Sequence, residues 1–294
     1  MALKGVTPEA KEKRLKMFLF GPAGVGKTTA AIMFPNAYII DTERGSDFYS
    51  DTIKKGGSVV FQSTNPDDIV LEMKSLLTEK HPYKTLILDP VTQIYNAIQE
   101  KWSRIFEKHA KTEKEAELQD FGMRYWGRVK SEYKAMLRIL MQLDMNIILT
   151  SHQKDVYGAG MVKVGVGPDS MKGDDYVFDL VFQLEKVNDK RMARTIKERA
   201  EIGNNKFPEM FEWSYPNFCK FYGKEVMEKD SVPVALATAE QVTEIKRLCD
   251  VMNVSESEKT QWLNKADVDT FDEMTSDKAG KLVEFLKKKI TGGK

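Results

Sequence analysis

From Leu15 onward, short continuous apolar runs alternate with longer stretches in which apolar positions recur at helical spacing. Continuous apolar runs suit strands buried on both faces, and the amphipathic stretches between them suit the helices that cover a parallel sheet. The pattern predicts strands at Lys16 to Phe20, Ala37 to Ile40, Val59 to Gln62, Thr85 to Leu88, Asn146 to Thr150 and Leu180 to Glu185. It predicts a crossover helix from Asp67 to Glu79. Two further helices fall within Val91 to Leu143, with a polar break near Thr112 to Asp120. From Val181 the texture changes to a hairpin, Val181 to Val187 and Ala193 to Arg199, turning at Asn188-Asp189.

Lys229 to Ala237 carries Pro233 and no helical period, which reads as a linker. Beyond it Thr238 to Gln241, Ser255 to Glu258 and Thr270 to Glu273 each fit a capping box ahead of helical spacing. The expected organisation is therefore a basic leader (1–14), an α/β core (15–228), a linker (229–237) and a small helical C-terminal domain (238–294).

The first apolar run feeds directly into Gly21, Pro22, Ala23, Gly24, Val25, Gly26, Lys27 and Thr28, a complete phosphate-binding loop, with Thr29 opening the helix behind it. In this motif the glycines let backbone N–H groups turn around a triphosphate, Lys27 reaches the β/γ oxygens and the Thr28 hydroxyl holds Mg²⁺. Strand before and helix after, expected over Thr29 to Phe34, supply the context that the mechanism needs. ATP and Mg²⁺ are the expected cofactors.

Composition narrows the remainder. With 45 basic and 44 acidic side chains in 294 residues, no global field points to nucleic acid, so any basic surface is local. Cys219 and Cys249 are too few and too isolated for a disulfide scaffold or a zinc cluster, and suit thiols in a reducing compartment. Met1 to Lys16 has no long apolar stretch, which reads as neither signal peptide nor membrane span, and the expected location is cytoplasmic.

Several polar residues stand where strands end, the place where ligands collect in a parallel α/β sheet. Asp89 closes Leu86 to Asp89 and fits either a Mg²⁺-associated acid or an ordinary strand-end carboxylate. Asp41 and Glu43 follow Ile39-Ile40; Glu43 would orient a water at the γ-phosphate, or both acids would cap a turn and pair with Arg44. His152, after Thr150-Ser151, fits a sensor of the γ-phosphate or a surface histidine. Next comes a glycine-rich stretch from Tyr157 to Asp169, expected as an irregular loop, in which Tyr157 and Lys163 are candidate nucleic-acid contacts.

On a helix from Phe121 to Leu143, Arg124, Arg128, Lys130, Lys134 and Arg138 share an arc of roughly 160° free of acids, with Glu132 at its border. A solvated face, a phosphate backbone and an acidic neighbouring subunit all fit it. Tyr125 and Trp126 are candidate stacking groups for single strands, although the helical wheel puts Trp126 on the apolar side.

Taken in chain order, Gly21 to Thr28, Asp41 to Glu43, Leu86 to Asp89, Thr150 to His152, the glycine-rich stretch and Lys197 to Arg199 resemble RecA-like recombinase cores, and more closely the phage-encoded RecA-like single-strand annealing ATPases. The likeness covers roughly Leu15 to Tyr222, and the tail is similar to small helical domains on phage recombination proteins. The resemblance implies a RecA-like P-loop NTPase fold with Glu43 as catalytic glutamate, Asp89 as the second nucleotide motif's acid and His152 as γ-phosphate sensor. It implies that Lys197 and Arg199 enter a neighbouring subunit's site. Two departures stand out: RecA itself usually has glutamine where His152 stands, and the segment matching the first DNA loop, near His109 to Asp120, is rich in Glu.

The function expected from residues and resemblance together is an ATPase that assembles as filament or ring on single-stranded DNA and promotes annealing or strand exchange. A single-strand DNA-binding protein is a candidate partner of the C-terminal domain, and no membrane partner is expected. A replicative helicase or helicase loader, and a nucleotide-switched scaffold, remain as alternatives.

Overall fold

The computed structural model describes residues 14–110, 115–199 and 205–291. Among the described residues ten strands follow one another as β1 (Lys16–Phe20), β2 (Ala37–Asp41), β3 (Val59–Gln62), β4 (Thr85–Asp89), β5 (Asn146–Ser151), β6 (Gln153–Tyr157), β7 (Lys163–Pro168), β8 (Leu180–Val187), β9 (Lys190–Glu198) and β10 (Met210–Glu212). The α-helices are α1 (Lys27–Ala31), α2 (Ser50–Lys55), α3 (Pro66–Thr78), α4 (Val91–Ala110), α5 (Glu115–Gln142), α6 (Asp174–Val177), α7 (Tyr215–Tyr222), α8 (Ala239–Val251), α9 (Glu256–Ala266) and α10 (Ser276–Thr291).

The fold is α/β. Eight strands form one sheet in the order β3-β2-β4-β5-β1-β8-β9-β10. The six strands from β3 to β8 run parallel, while β9 and β10 add an antiparallel edge. Central strands β1, β4 and β5 are buried at every apolar position, as the continuous apolar runs require. Register fixes what meets at the carboxyl edge: Phe20 lies opposite Ser151, and Asp41 opposite Asp89.

The chain divides into two compact units. The first takes the residues up to Thr64, Pro82–Tyr95 and Met145–Asp230, and so holds the whole sheet. Its core joins Met17, Leu19, Ile39, Ile87 and Ile148 of the strands to Ala30, Ile32 and Phe34 behind the phosphate loop. Around Phe182 a group of aromatic rings, Phe207, Phe211, Trp213 and Phe218, packs at centroid distances of 5.1 to 6.3 Å. Each such buried side chain contributes about 1.5–3 kcal/mol, so this is the part of the unit that anchors the β8–β10 edge.

The second unit contains Asn65–His81, Asn96–Asp144 and Ser231–Lys294. Its C-terminal helices enclose Ile245, Leu248, Cys249, Met274, Ala279 and Leu286. Thr238 and Ser255 each form a complete capping box with Gln241 and Glu258. The third expected box is absent. Thr270 makes no side-chain cap, Phe271–Glu273 is a single 3₁₀ turn, and Thr275 instead accepts from the Lys278 N–H at the start of α10.

Other expectations shift in detail. α5 is already helical at Glu115, so the polar break is shorter than Thr112 to Asp120; residues 111–114 lie outside the described residues. The helix behind the phosphate loop ends at Ala31 rather than Phe34. The glycine-rich stretch is no irregular loop: β6 and β7 pair antiparallel as a separate two-stranded hairpin. Val234, Ala235 and Ala237 of the expected linker hydrogen-bond to Leu77, Ser276 and Met274, which gives that extended stretch fixed partners within the second unit. Among the described residues no helix is long and apolar enough to cross a membrane.

Candidate functional site

The cleft at the carboxyl edge of β1, β2, β4 and β5 encloses about 540 Å³. Its lining brings together Ala23, Gly24, Gly26, Lys27, Thr28, Thr29, Glu43, Asp89 and His152, nine of the residues picked from sequence, although they lie up to 129 positions apart in the chain. β1 delivers the phosphate loop, β5 delivers His152, β4 delivers Asp89 and β2 delivers Glu43. The parallel register alone sets this grouping.

Within the loop the glycines do different work. Gly26 has φ 89°, and a Cβ there would lie 2.3 Å from the Arg191 guanidinium. Gly21 has ordinary φ, but a Cβ would press to 2.5 Å of the Leu184 carbonyl oxygen on β8, so its lack of a side chain serves close packing rather than the phosphate. Val25 is buried, and Pro22 and Gly21 supply carbonyls. Lys27 Nζ donates to both, at 3.0 Å each. Partial burial holds the Lys27 ammonium below its usual pKa, against the opposing pull of Asp89 and Glu43.

Asp89 is 4% exposed. Burial raises its carboxyl above the usual range, while hydrogen bonds from the Thr150 and Thr28 hydroxyls act in the opposite direction. Asp89 and the Thr28 hydroxyl therefore meet at the floor of the cleft as hard oxygen donors. Such a pair fits Mg²⁺, which takes one or two protein oxygens and completes its shell with phosphate and water. Among the described residues no three or more His, Cys, Asp or Glu side chains group so as to hold a metal ion by themselves.

The alternatives left open for the β2 acids separate clearly. Asp41 is buried and accepts from the Glu43, Gly45 and Ser46 N–H groups and from the Ser46 hydroxyl. It builds the turn after β2. Glu43 is thereby aimed into the cleft, where Oε1 accepts from Gln93 Nε2 at 2.6 Å and lies 3.0 Å from His152 Nε2. Arg44 takes φ 58° at the bend.

His152 is tied on both sides. Its N–H donates to the Thr92 hydroxyl at 3.0 Å and its carbonyl accepts from the Asp169 N–H at 2.8 Å; Thr92 in turn donates to the Asp169 carbonyl at 2.7 Å. Gln153 opens β6 and Asp169 follows β7. The two ends of the hairpin thus meet at His152. At its far end Tyr157, Met161, Val162 and Val164 are exposed, and Lys163 pairs with Asp155 at 2.8 Å.

Lys197 and Arg199 do not line the cleft. Lys197 Nζ donates to the Asp175 carbonyl at 2.7 Å and the Tyr176 carbonyl at 3.2 Å, and Arg199 pairs with Asp179 at 3.0 Å. In the second unit Arg124, Arg128, Lys130 and Lys134 are exposed on α5, as the helical wheel requires. Arg128 lies 5.8 Å from the Trp102 ring, and Arg138 is bonded to Asp269. Trp126 departs from the expectation of core packing: it is 45% exposed, in edge contact with Tyr125. The side chains of the Glu-rich segment from His109 to Asp120 lie outside the described residues.

Sequence reasoning missed Gln93, Thr92, Tyr49 and Arg191, and gave Thr150 no role of its own. Tyr49 lines the cleft and accepts from the Thr29 hydroxyl at 3.2 Å. Arg191, on β9, donates to the Val25 carbonyl at 3.1 Å and so braces the outside of the phosphate loop. Only the β8–β9 pairing brings it there.

The AAA domain family matches residues 13–206, two thirds of the chain, with the whole cleft inside the match. The chain belongs to the AAA domain family. No curated protein matches the sequence. Among solved structures the chain is similar to one described as the crystal structure of the RadB recombinase, with 15% identity over 66% of this chain and 84% of that chain, and a TM-score of 0.39. Family membership and cleft together make this AAA domain a P-loop nucleotide-binding protein.

Proposed function

We propose that this AAA-domain protein is a RecA-like ATPase of DNA recombination, which assembles on single-stranded DNA and couples hydrolysis at subunit interfaces to annealing or strand exchange. The observation that carries the reading is the Glu43–His152 pair, 3.0 Å apart across the cleft from Lys27 and joined through Thr92 and Asp169 to the base of the β6–β7 hairpin.

The strand order supports it. β5 stands between the phosphate-loop strand and the Asp89 strand, and the acid facing the cleft after β2 is Glu43, the residue that the resemblance aligns with a catalytic glutamate. In this reading Lys27 would leave the Gly21 and Pro22 carbonyls for the β/γ oxygens of ATP, and Thr28 and Asp89 would hold Mg²⁺, which would supply positive charge to the phosphates. Glu43, held by Gln93, orients water at the γ-phosphate. Because Glu43 Oε1 is shared with His152, a γ-phosphate that competes for either side chain changes the strap at the hairpin base. That gives nucleotide state a route to the DNA-facing residues Tyr157 and Lys163. The lysine and arginines of α5 (Arg124, Arg128, Lys134, Arg138) add a second cationic surface for phosphates.

Lys197 and Arg199 would complete the site of the adjacent subunit, exchanging their own carbonyl and Asp179 partners for phosphate oxygens. Mixing Glu43→Ala with Arg199→Ala subunits tests this. Each variant alone should be inactive, and the mixture should recover hydrolysis, because some interfaces then pair an intact Glu43 with an intact Arg199. A mixture that never exceeds the sum of the separate variants contradicts a shared site.

A further inference from the structure

The C-terminal helices carry a groove of about 400 Å³, walled by Trp262, Ala266, Met274, Leu282 and Phe285 from α9, the turn before α10, and α10 itself. Met274 and Ala266 are buried at its base, whereas Phe285 is 50% exposed with Trp262 edge-on at 6.3 Å. The inner cluster of Ile245, Leu248, Cys249 and Leu286 closes without Phe285, so the ring is left over from folding.

The charge around this groove is segregated. Acidic residues outnumber basic ones between Ala239 and Thr291, yet every charged residue on the groove's walls is a lysine: Lys265, Lys278 and Lys281. Lys278 donates to the Ala266 carbonyl at 2.9 Å and Lys281 pairs with Asp277 at 2.6 Å, which fixes two of the three at the rim. The Lys265 side chain makes no ion pair among the described residues. An apolar slot whose lining carries three lysines and no carboxylate is complementary to an apolar side chain flanked by carboxylates.

We propose that this groove binds a short acidic segment of a partner protein, one that carries an aliphatic or aromatic side chain among Asp and Glu residues. Nucleic acid offers the same sign of charge, but base stacking needs an open ring face. Here the two rings meet at 78° and most of the remaining wall is aliphatic or thioether. Every residue lining the groove lies between Trp262 and Phe285, so the proposal stands apart from the nucleotide-cleft reading.

The test uses the full chain and a fluorescein-labelled peptide of about twelve residues, alternating Asp and Glu around a central Leu-Phe pair, followed by anisotropy. Saturable binding is expected, weakened at least about tenfold by Phe285→Ala and by Lys265→Glu/Lys281→Glu, and lost when the Leu-Phe pair is replaced by Ser-Ser. All three substituted side chains are exposed, and circular dichroism checks that the helices persist. The proposal is overturned if the peptide does not bind, if neither variant weakens it, or if a labelled oligo-dT binds the groove and the peptide fails to displace it.

Discussion

At the scale of single residues, the cleft contains side chains whose cost to the fold has a functional explanation. Asp89 is a buried carboxylate whose proton is held more tightly in the folded chain than in the unfolded one. Its ionised form therefore opposes folding, and the penalty grows as pH rises above the ordinary carboxylate range. Asp89→Asn keeps an acceptor for the Thr150 and Thr28 hydroxyls and removes the charge. Thermal unfolding of the nucleotide-free protein should shift upward, by about 2–4 °C for each kcal/mol released, while Mg²⁺-dependent hydrolysis is lost. Arg191 behaves in the opposite way. It touches the loop from outside at the Val25 carbonyl, so Arg191→Ala should weaken nucleotide binding about tenfold in a fluorescent-nucleotide titration, and Arg191→Lys should recover part of it.

At the scale of elements, the β6–β7 hairpin links cleft and surface. Its base is strapped at His152, Thr92 and Asp169, and its tip presents Tyr157, Met161 and Val162. Replacing Gly158 to Val162 by Asn-Gly should leave nucleotide affinity unchanged and abolish the stimulation of hydrolysis by single-stranded DNA; unchanged stimulation would assign DNA contact to another element. This element also marks the limit of what the sequence makes legible. Buried strands announced themselves because a continuous apolar run has few other uses, and Gly21 to Thr28 because its spacing is tied to one mechanism. The hairpin was missed because its glycines and exposed valines carry neither a period of two nor a buried face. Sequence left open whether Glu43 faces the cleft or joins Asp41 in capping a turn. What separates them is the turn that Asp41 builds with the Glu43, Gly45 and Ser46 amides, a local structure with no apolar signature. Arg191 was invisible for a different reason: its partner Val25 lies 166 positions away.

At the scale of the whole molecule, the cleft is assembled by a parallel sheet in one compact unit, while α5 and the C-terminal helices belong to the other. Under the proposed function, the cleft hydrolyses ATP as part of an assembly on DNA, with Lys197 and Arg199 acting on a neighbour. Both cations are occupied by partners within their own chain, so an isolated subunit would lack them at its own Glu43 and Asp89. The most direct measurement is the rate of ATP hydrolysis per subunit across a range of protein concentrations, with and without single-stranded DNA. A site shared between subunits requires a rate that rises with concentration and rises further, at lower concentration, when single strands are present. A rate per subunit that is indifferent to both would contradict it.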